Sequence, residues 1–492
     1  MTDDLVLTID AGTSGCKALL FDVDGREVGR HVEPCDSTAP RPSWAELRPD
    51  RVLQAVCAAV GQALGSVEAA RVKGIGVSAQ LGIVPVDRSG RPLANILTWM
   101  DKRAVAQAQR INDTLGPEAI YSKTGRRVDP EWAACKILWL KDEQAREYAK
   151  THRFLTVKDF IVHYLTGAFV MDETQASYSM LYNVSTRVWE EEFFQALDLA
   201  TEKMPEVRPA TTLAGELSSA AAESMGLASG LPVFMGASDG TMATLGAGLV
   251  QERDAVNVVG TTDGFFVCTS QPAFDPAART LVNCYAIPGL WSQGGPMSTT
   301  GGCLKWFCDN FVLTESGGSS RYAELDKVAS SLPPGSEGLL CVPSLVGERT
   351  PVWDPDVRGA FVGLGVQHHR EHLFRAILEG SSYGARRVLA VLQEQGVHVD
   401  RVLLVGGGAK SDLWAQIRAD VFGKPVVRPK VQEATCLGTA LIVGVGIGLY
   451  ESVEAGIARV VDLSSVVEPM AAHIPIYDEM YARYVALHDK LR

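Results

Sequence analysis

One strand–loop–strand unit occurs twice in this chain, about half its length apart, and that duplication restricts the fold more than any other feature. The apolar run LVLTID leads into Asp10-Ala11-Gly12-Thr13-Ser14-Gly15 and then into a second run, CKALLFD. Far downstream, AVNVVG leads through Val259-Gly260-Thr261-Thr262-Asp263-Gly264 into FFVCTS. Short apolar runs bounded by Gly and Thr predict strands, so each unit reads as a hairpin with a glycine-rich turn. Asp24-Gly25 supplies a second tight reversal after the first unit. The separation is far too long for a solenoid period and indicates a duplicated domain.

Two strand-to-helix transitions accompany the hairpins. PVFMGASDGTMATLGAG passes through Gly236 to Gly240, and RVLLVGGGAKSDLWAQIRADVFG passes through Gly406 to Gly408. EWAACKILWLKDEQAREYAK and EHLFRAILEGSSYGARRVLAVLQEQG carry apolar residues at helical spacing. Strands alternating with helices predict α/β layers. A length of 492 residues exceeds one ordinary core, so two domains are expected, 1–250 and 251–492, with the boundary near Leu249 to Asp254.

A net charge of −12 argues against a nucleic-acid partner, which would need clustered Lys and Arg. The acidic start MTDDLVLTID lacks the basic, long apolar pattern of an export signal, so a cytoplasmic location is expected. The longest apolar stretch, Ala434 to Tyr450, is short for a membrane span and contains four glycines, Gly438, Gly444, Gly446 and Gly448. It predicts a buried helix packed closely through those glycines, and no membrane partner. Ten scattered cysteines without a CxxC pair read as reduced and buried.

Glycines in a turn let the backbone approach a phosphate, and main-chain N–H groups with Thr and Ser hydroxyls then supply the donors. Two such loops facing each other could grip a nucleoside triphosphate from both domains. Asp10, ending the first strand, suits a Mg²⁺ ion held through water. Asp239, at a strand end in GASDG, could accept a proton from an attacking hydroxyl, or could instead cap the following helix. Neither GxGxxG after the first strand nor GxxxxGK[ST] is present, which disfavours a dinucleotide dehydrogenase and a P-loop enzyme.

These segments together resemble the FGGY carbohydrate kinases along essentially the whole chain: DAGTSGCKALLFD, LTWMDKR, KILWL, GASDGTMATLGAG, GTTDG, TTGGCLKW, LVGERTP, GAFVGLG and VGGGAKSDLW occur in family order. The resemblance implies a two-domain actin-like ATPase fold, ribonuclease H-like and duplicated, with an interdomain active-site cleft. It implies ATP and Mg²⁺ as cofactors. Gly12, Thr13, Ser14 and Lys17 match the first phosphate loop, and Gly260, Thr261 and Thr262 the second. Gly301 and Lys305 match positions near the phosphates, and Gly407, Gly408, Ala409 and Asp412 the adenosine side. Asp10 would serve the metal and Asp239 would be the catalytic base.

On the sugar side the match implies Trp99, Asp101 and Arg103 of the WxDxR pattern, with Gln80, Leu81 and Gly240 as further substrate positions. Gln80-Leu81 replaces the Met-His pair of xylulokinases, and Gly240 replaces an Asn. Glu131 stands where a small or aromatic residue is usual. The expected reaction is phosphorylation of a sugar hydroxyl, first of a ketopentose such as xylulose, alternatively of gluconate, another polyol or an autoinducer-2-like molecule. A non-catalytic actin-like ATP-binding protein and a nucleotide-independent sugar-binding regulator are readings from other classes. A homodimer is left open.

Overall fold

The computed structural model describes residues 4–312 and 319–490, so Met1 to Asp3 of the acidic start lie outside the described residues. The first repeat folds as read. Strand β1 (Leu5–Ala11) runs antiparallel to β2 (Gly15–Phe21), which turns at Asp24-Gly25 into β3 (Glu27–Pro34). Val72–Ala79, β4, lies parallel to β1 on its other side. Pro232–Phe234, parallel, and Leu213–Glu216, antiparallel, complete a six-stranded sheet.

The second repeat builds the same layout. Strand β5 (Asp254–Val259) pairs antiparallel with β6 (Asp263–Thr269), and the ladder continues through Trp291–Met297 to Leu281–Cys284. On the other side of β5 lie Arg401–Val405 and Val426–Val427, both parallel, and then antiparallel Val466–Val467. Each sheet therefore carries antiparallel strands on one side of its first strand and parallel strands on the other, ending in an antiparallel edge. This is the duplicated α/β arrangement expected of an actin-like ATPase.

Where the halves meet, two helices cross. Helix α1 (Asp239–Gly246) follows the GASDG turn, and a long helix α2 (Arg370–Glu394) and α3 (Asp412–Phe422) pack on the second sheet. The glycine-rich apolar stretch becomes α4 (Ala434–Gly446). It ends four residues before Tyr450, whose ring fills the space over Gly444. A Cβ on Gly246 would stand 1.9 Å from the Ala434 carbonyl oxygen, and one on Gly438 would stand 2.1 Å from that of Met242. The two backbones are thus in direct contact, which only glycine permits.

Helix α4 also covers Gly74 and Gly76 of β4 with Val443 and Thr439. An apolar cluster of Val6, Leu19, Met242, Leu245, Val256, Leu403, Ile442 and Val443 joins both halves through this crossing. Among the described residues no helix is long and apolar enough to cross a membrane. EWAACKILWLKDEQAREYAK, read as one helix, is two, Ala133–Glu143 and Ala145–Lys150, broken where Gln144 leaves helical geometry.

The contact gives a direct prediction. Gly438→Val should lower unfolding stability by roughly 3 kcal/mol through overpacking, whereas Gly61→Ala, in a helix with nothing within 4 Å of the added methyl, should be neutral or slightly stabilising, as read by urea unfolding.

Candidate active site

Loop and ladder geometry set the first carboxylate. The Gly12 N–H donates to Gly15 O at 3.0 Å and closes the first turn, leaving Thr13 and Ser14 exposed at its tip. Asp10 is paired with Lys17 in the β1–β2 ladder and is buried. Ser78 donates to its Oδ1 at 2.9 Å. Burial, reinforced by the charge of nearby Asp239, pushes the Asp10 carboxyl up to about 7. The Lys17 ammonium reaches into the other half, where Glu433 takes it at 2.6 Å and also takes Arg30 at 2.6 Å. Glu433 immediately precedes α4, so this cluster fastens the first hairpin to the crossing helices.

Asp239 is freed from the capping duty that sequence left open. Gly236 makes the turn after Pro232–Phe234 with φ 61°, and a Cβ there would collide with Val77 O at 1.8 Å. Ser238, not Asp239, is the N-cap of α1: its Oγ accepts from Thr241 N–H. Thr174 Oγ1 accepts the Ser238 N–H at 3.2 Å and fixes the turn from beneath. The Asp239 Oδ1 accepts from Gly240 N–H at 2.7 Å. Part of the residue reaches the cleft surface, yet its carboxyl sits deep enough that burial raises its pKa. The following residue, Gly240, lines a cavity of about 210 Å³ with Tyr178, Thr241, Thr262, Asp263 and Gly264. The GASDG turn of one half and the second hairpin of the other therefore share one cleft.

Beside it lies a larger cavity of about 510 Å³. Gly260, Thr261, Gly301, Lys305, Gly407 and Gly408 line one part, and Leu304, Phe374, Leu378 and Trp414 give it apolar walls. Backbone bonds knit the polar end: Gly301 N–H donates to Gly260 O at 3.0 Å and Gly302 N–H to Thr261 O at 2.9 Å. The N-terminus of Gly301–Phe311 thus rests on the second loop, and helix N-termini and nested N–H groups favour phosphate. Asp263 in that loop is paired with buried Arg418 at 2.7 Å and so differs from Asp10.

Two predicted residues on the base side fall elsewhere. Ala409 packs toward the core under the cavity. Asp412 is 89% exposed and paired with Arg428, because Ser411 caps α3 and the next side chain turns outward.

The acceptor side needs more correction. Leu81 lines a small cavity with Glu131, Trp132, Lys136, Gln175 and Tyr178. Gln80 instead braces the first loop, its Nε2 donating to Gly12 O at 2.9 Å. Trp99 is 38% exposed beside Leu81, to whose carbonyl its N–H donates at 3.0 Å. Asp101 and Arg103 form a buried strut, not a surface ion pair. Asp101 accepts from Ala45 N–H at 2.6 Å and from Arg103 Nη2 at 2.7 Å. Arg103 also pairs with Glu46 at 2.6 Å and stacks 3.5 Å from the Trp44 ring centroid. Trp44, far away in sequence, supplies the packing that draws both inward.

Three residues escaped sequence reasoning. Tyr178 is the wall common to both smaller cavities, its hydroxyl against Ser238 and Thr241. Arg126 is fully buried behind it. Glu433 holds Lys17. None sits in a glycine turn or at a periodic spacing, so only the fold brings them in.

A cleft between two sheets, bounded by two glycine hairpins and bringing together buried Asp10 and partly exposed Asp239, defines a phosphotransferase of the actin-like class. A model of the N-terminal domain of the FGGY family of carbohydrate kinases matches residues 5–246, and one of its C-terminal domain matches 255–447. The chain is 31% identical over 481 residues to a gluconokinase of Bacillus subtilis, covering 96% of this chain and 92% of that one. It is 26% identical over 495 residues to a xylulose kinase of Staphylococcus epidermidis, covering 100% and 98%. The crystal structure of a xylulose kinase from Rhodospirillum rubrum superposes with a TM-score of 0.92 at 26% identity, covering 99% of each chain. The chain belongs to the FGGY family of carbohydrate kinases. It is a carbohydrate kinase with the actin-like fold, and kinases of this family use ATP.

Two predictions test the site's electrostatics. The unfolded chain releases the Asp10 proton near 3.8 and the folded one near 7, so Asp10 makes stability fall as pH rises between those values. In metal-free thermal unfolding, Asp10→Asn should flatten that fall. Arg103→Met strands the buried Asp101 charge and should cost on the order of 3–5 kcal/mol of stability while leaving the acceptor KM of the folded fraction within about threefold.

Proposed function

We propose that the chain transfers the γ-phosphoryl group of ATP to a hydroxyl of a small sugar, with Asp239 as general base. The observation that carries this reading is the position of Asp239, uncommitted to capping, beside Asp10 and in the same cleft as the second glycine hairpin. Residues 1–250 would carry the acceptor site and residues 251–492 the nucleotide. Triphosphate in the larger cavity would lie against the backbone of Gly260, Thr261, Gly301, Gly407 and Gly408, with little side chain intervening. Gly12, Thr13, Ser14 and Lys17 would close on it from the opposite side, with Lys17 exchanging Glu433 for phosphate.

The residues present fit Mg²⁺. Asp10 is a buried oxygen donor whose ionised form lacks full compensation, and a divalent cation would supply it. Among the described residues no cluster of three acidic, His or Cys side chains forms a metal cage, which agrees with an ion completed by water and phosphate oxygens. Bound there, Mg²⁺ would neutralise charge developing on the transferred group. Asp239 would take the acceptor proton as its oxygen attacks. Closure of the halves around the acceptor would exclude water from the cleft, which limits transfer to water in place of sugar.

The relatives are named for xylulose and gluconate, which supports an open-chain polyhydroxy acceptor. A ketopentose suits the neutral lining by Leu81, Tyr178 and Gly240. A sugar acid would need a cation nearby, and Lys136 lines the same small cavity as Leu81 and Tyr178. The kinase reading is tested by coupled ADP release over a sugar panel: Asp239→Asn should lower kcat by about 100-fold to 10,000-fold with little change in ATP binding. Sugar-independent turnover in the parent, or an undiminished variant, would reject it.

A further inference from the structure

Two thiols meet at the foot of the first glycine loop. Cys16 follows Gly15 directly in β2, and Cys35 is the first residue past β3. Cys16 stands opposite Glu33 in the antiparallel ladder, so Cys35, two residues further on, is its diagonal neighbour on the same face of the sheet. Both belong to the apolar core of the first half, Cys16 1% and Cys35 8% exposed, and both are free thiols. Their side chains are hydrogen-bonded to each other, with Val52 O, 3.9 Å from Cys16 Sγ, an alternative acceptor for the same hydrogen.

The backbone at this point is bound to the loop itself. Cys35 N–H donates to Ser14 O at 3.2 Å, and a Cβ on Gly15 would stand 2.7 Å from Glu33 O. Thr13 and Ser14 form the exposed tip of that loop, so the end of β3 sets where the tip stands. The two thiols are also unlike. The bond from Cys16 holds the Cys35 thiol below the ordinary cysteine range against its burial, and the Arg51 charge acts in the same direction. That bond, together with burial, pushes the Cys16 thiol up. Cys35 is the more exposed of the two, and its neighbours Pro34 and Asp36 reach solvent. A small oxidant therefore meets Cys35 first, with a resolving thiol already in contact.

We propose that Cys16 and Cys35 are a peroxide-sensitive modification site, closing reversibly to a disulfide that draws the end of β3 toward β2 and shifts the tip of the first glycine loop out of its phosphate-gripping position. The Cys35 thiolate attacks one oxygen of hydrogen peroxide, the O–O bond breaks, and the departing hydroxide takes up a proton to become water. Cys16 then attacks the Cys35 sulfenic sulfur, its thiol proton joins the departing hydroxyl, and a second water leaves. The two sulfurs lose two electrons in all and the peroxide gains them. A disulfide bond of about 2.05 Å is shorter than any contact between unbonded sulfurs, so Cys35 must move, and its N–H carries Ser14 O with it. The consequence for ATP rests on the kinase reading, whereas the link does not.

The experiment treats the full chain with hydrogen peroxide under native conditions, blocks remaining thiols and digests with trypsin. Peptide 1–17 should appear joined to peptide 31–51, two hydrogens lighter than the separate pair, and dithiothreitol should part them. By titration calorimetry the linked protein should bind ATP about tenfold more weakly, the equivalent of one or two lost hydrogen bonds, and recover on reduction. Cys35→Ser should bind ATP as the reduced parent does and be indifferent to peroxide, whereas Cys57→Ser, at the cysteine outside the buried set, should stay sensitive. Should Cys35→Ser fail to fold, the parent before and after oxidation still decides the matter. Cys16 and Cys35 left unlinked while other cysteines are oxidised, or a linked protein with the ATP affinity of the reduced one, would overturn the proposal. A linked protein with weakened ATP binding that phosphorylates no sugar in either state would uphold it and reject the sugar-kinase reading alone.

Discussion

The backbone contact between α1 and α4 is the constraint on which the rest of the molecule depends. Glycines at 246 and 438 let the two helices approach until carbonyl oxygens fill the places where side chains would be. Helix α1 begins at Asp239, and α4 begins one residue after Glu433. The crossing thereby fixes the distance between the base, the lysine of the first hairpin and the second sheet in one step. A side chain at either glycine would part the helices and with them the cleft walls, since α4 also seals Gly74 and Gly76 of β4. The apolar cluster around the crossing draws on both sheets, so hydrophobic burial stabilises the relative position of the halves as well as each half alone.

Against that rigid frame the site holds charges at an energetic disadvantage. The two hairpins came from one duplicated unit but treat their carboxylates differently. Asp263 is neutralised by Arg418 and Asn257, which makes the second loop a fixed cradle. Asp10 has only Ser78 close at hand, while Lys17 is drawn away by Glu433. Its raised pKa expresses a missing cation. Local disadvantage of this kind is what a site prepared for charged ligands is expected to show.

Much of this was legible in the sequence because it depends on local chemistry. Glycine turns between apolar runs reveal hairpins, and a repeated turn reveals duplication. The glycines of the apolar stretch revealed a closely packed helix because a side chain's absence is itself a local fact. Side-chain direction was not legible in the same way. Asp101 and Arg103 carry a charged pattern that reads as surface or ligand-facing, and only the distant Trp44 and Glu46 draw them inside. Asp412 was assigned to the nucleotide, but the cap at Ser411 turns it toward Arg428. Gln80 was assigned to the sugar, and its Nε2 braces Gly12 O while its Oε1 is buried without a partner. In each case the deciding partner lies far away in sequence or depends on the rotation of one helix turn.

A second seam between the halves runs through the segment that carries Arg126. Gly125 lies against Val282 of the second sheet, with a Val282 N–H to Gly125 O bond of 3.2 Å and no room for a Cβ. Arg127 reaches the Ala278 carbonyl at 3.1 Å and the ring of Trp353. The turn from 125 to 132 is therefore braced on the second half, although its end, Glu131 and Trp132, lines the small cavity with Leu81 and Tyr178. Tyr121 adds a bond to Thr280 O at 2.7 Å in the same seam. Asp239 starts a helix held by α4, so the wall formed by Glu131 and Trp132 and the candidate base both take their positions from contacts with residues 251–492.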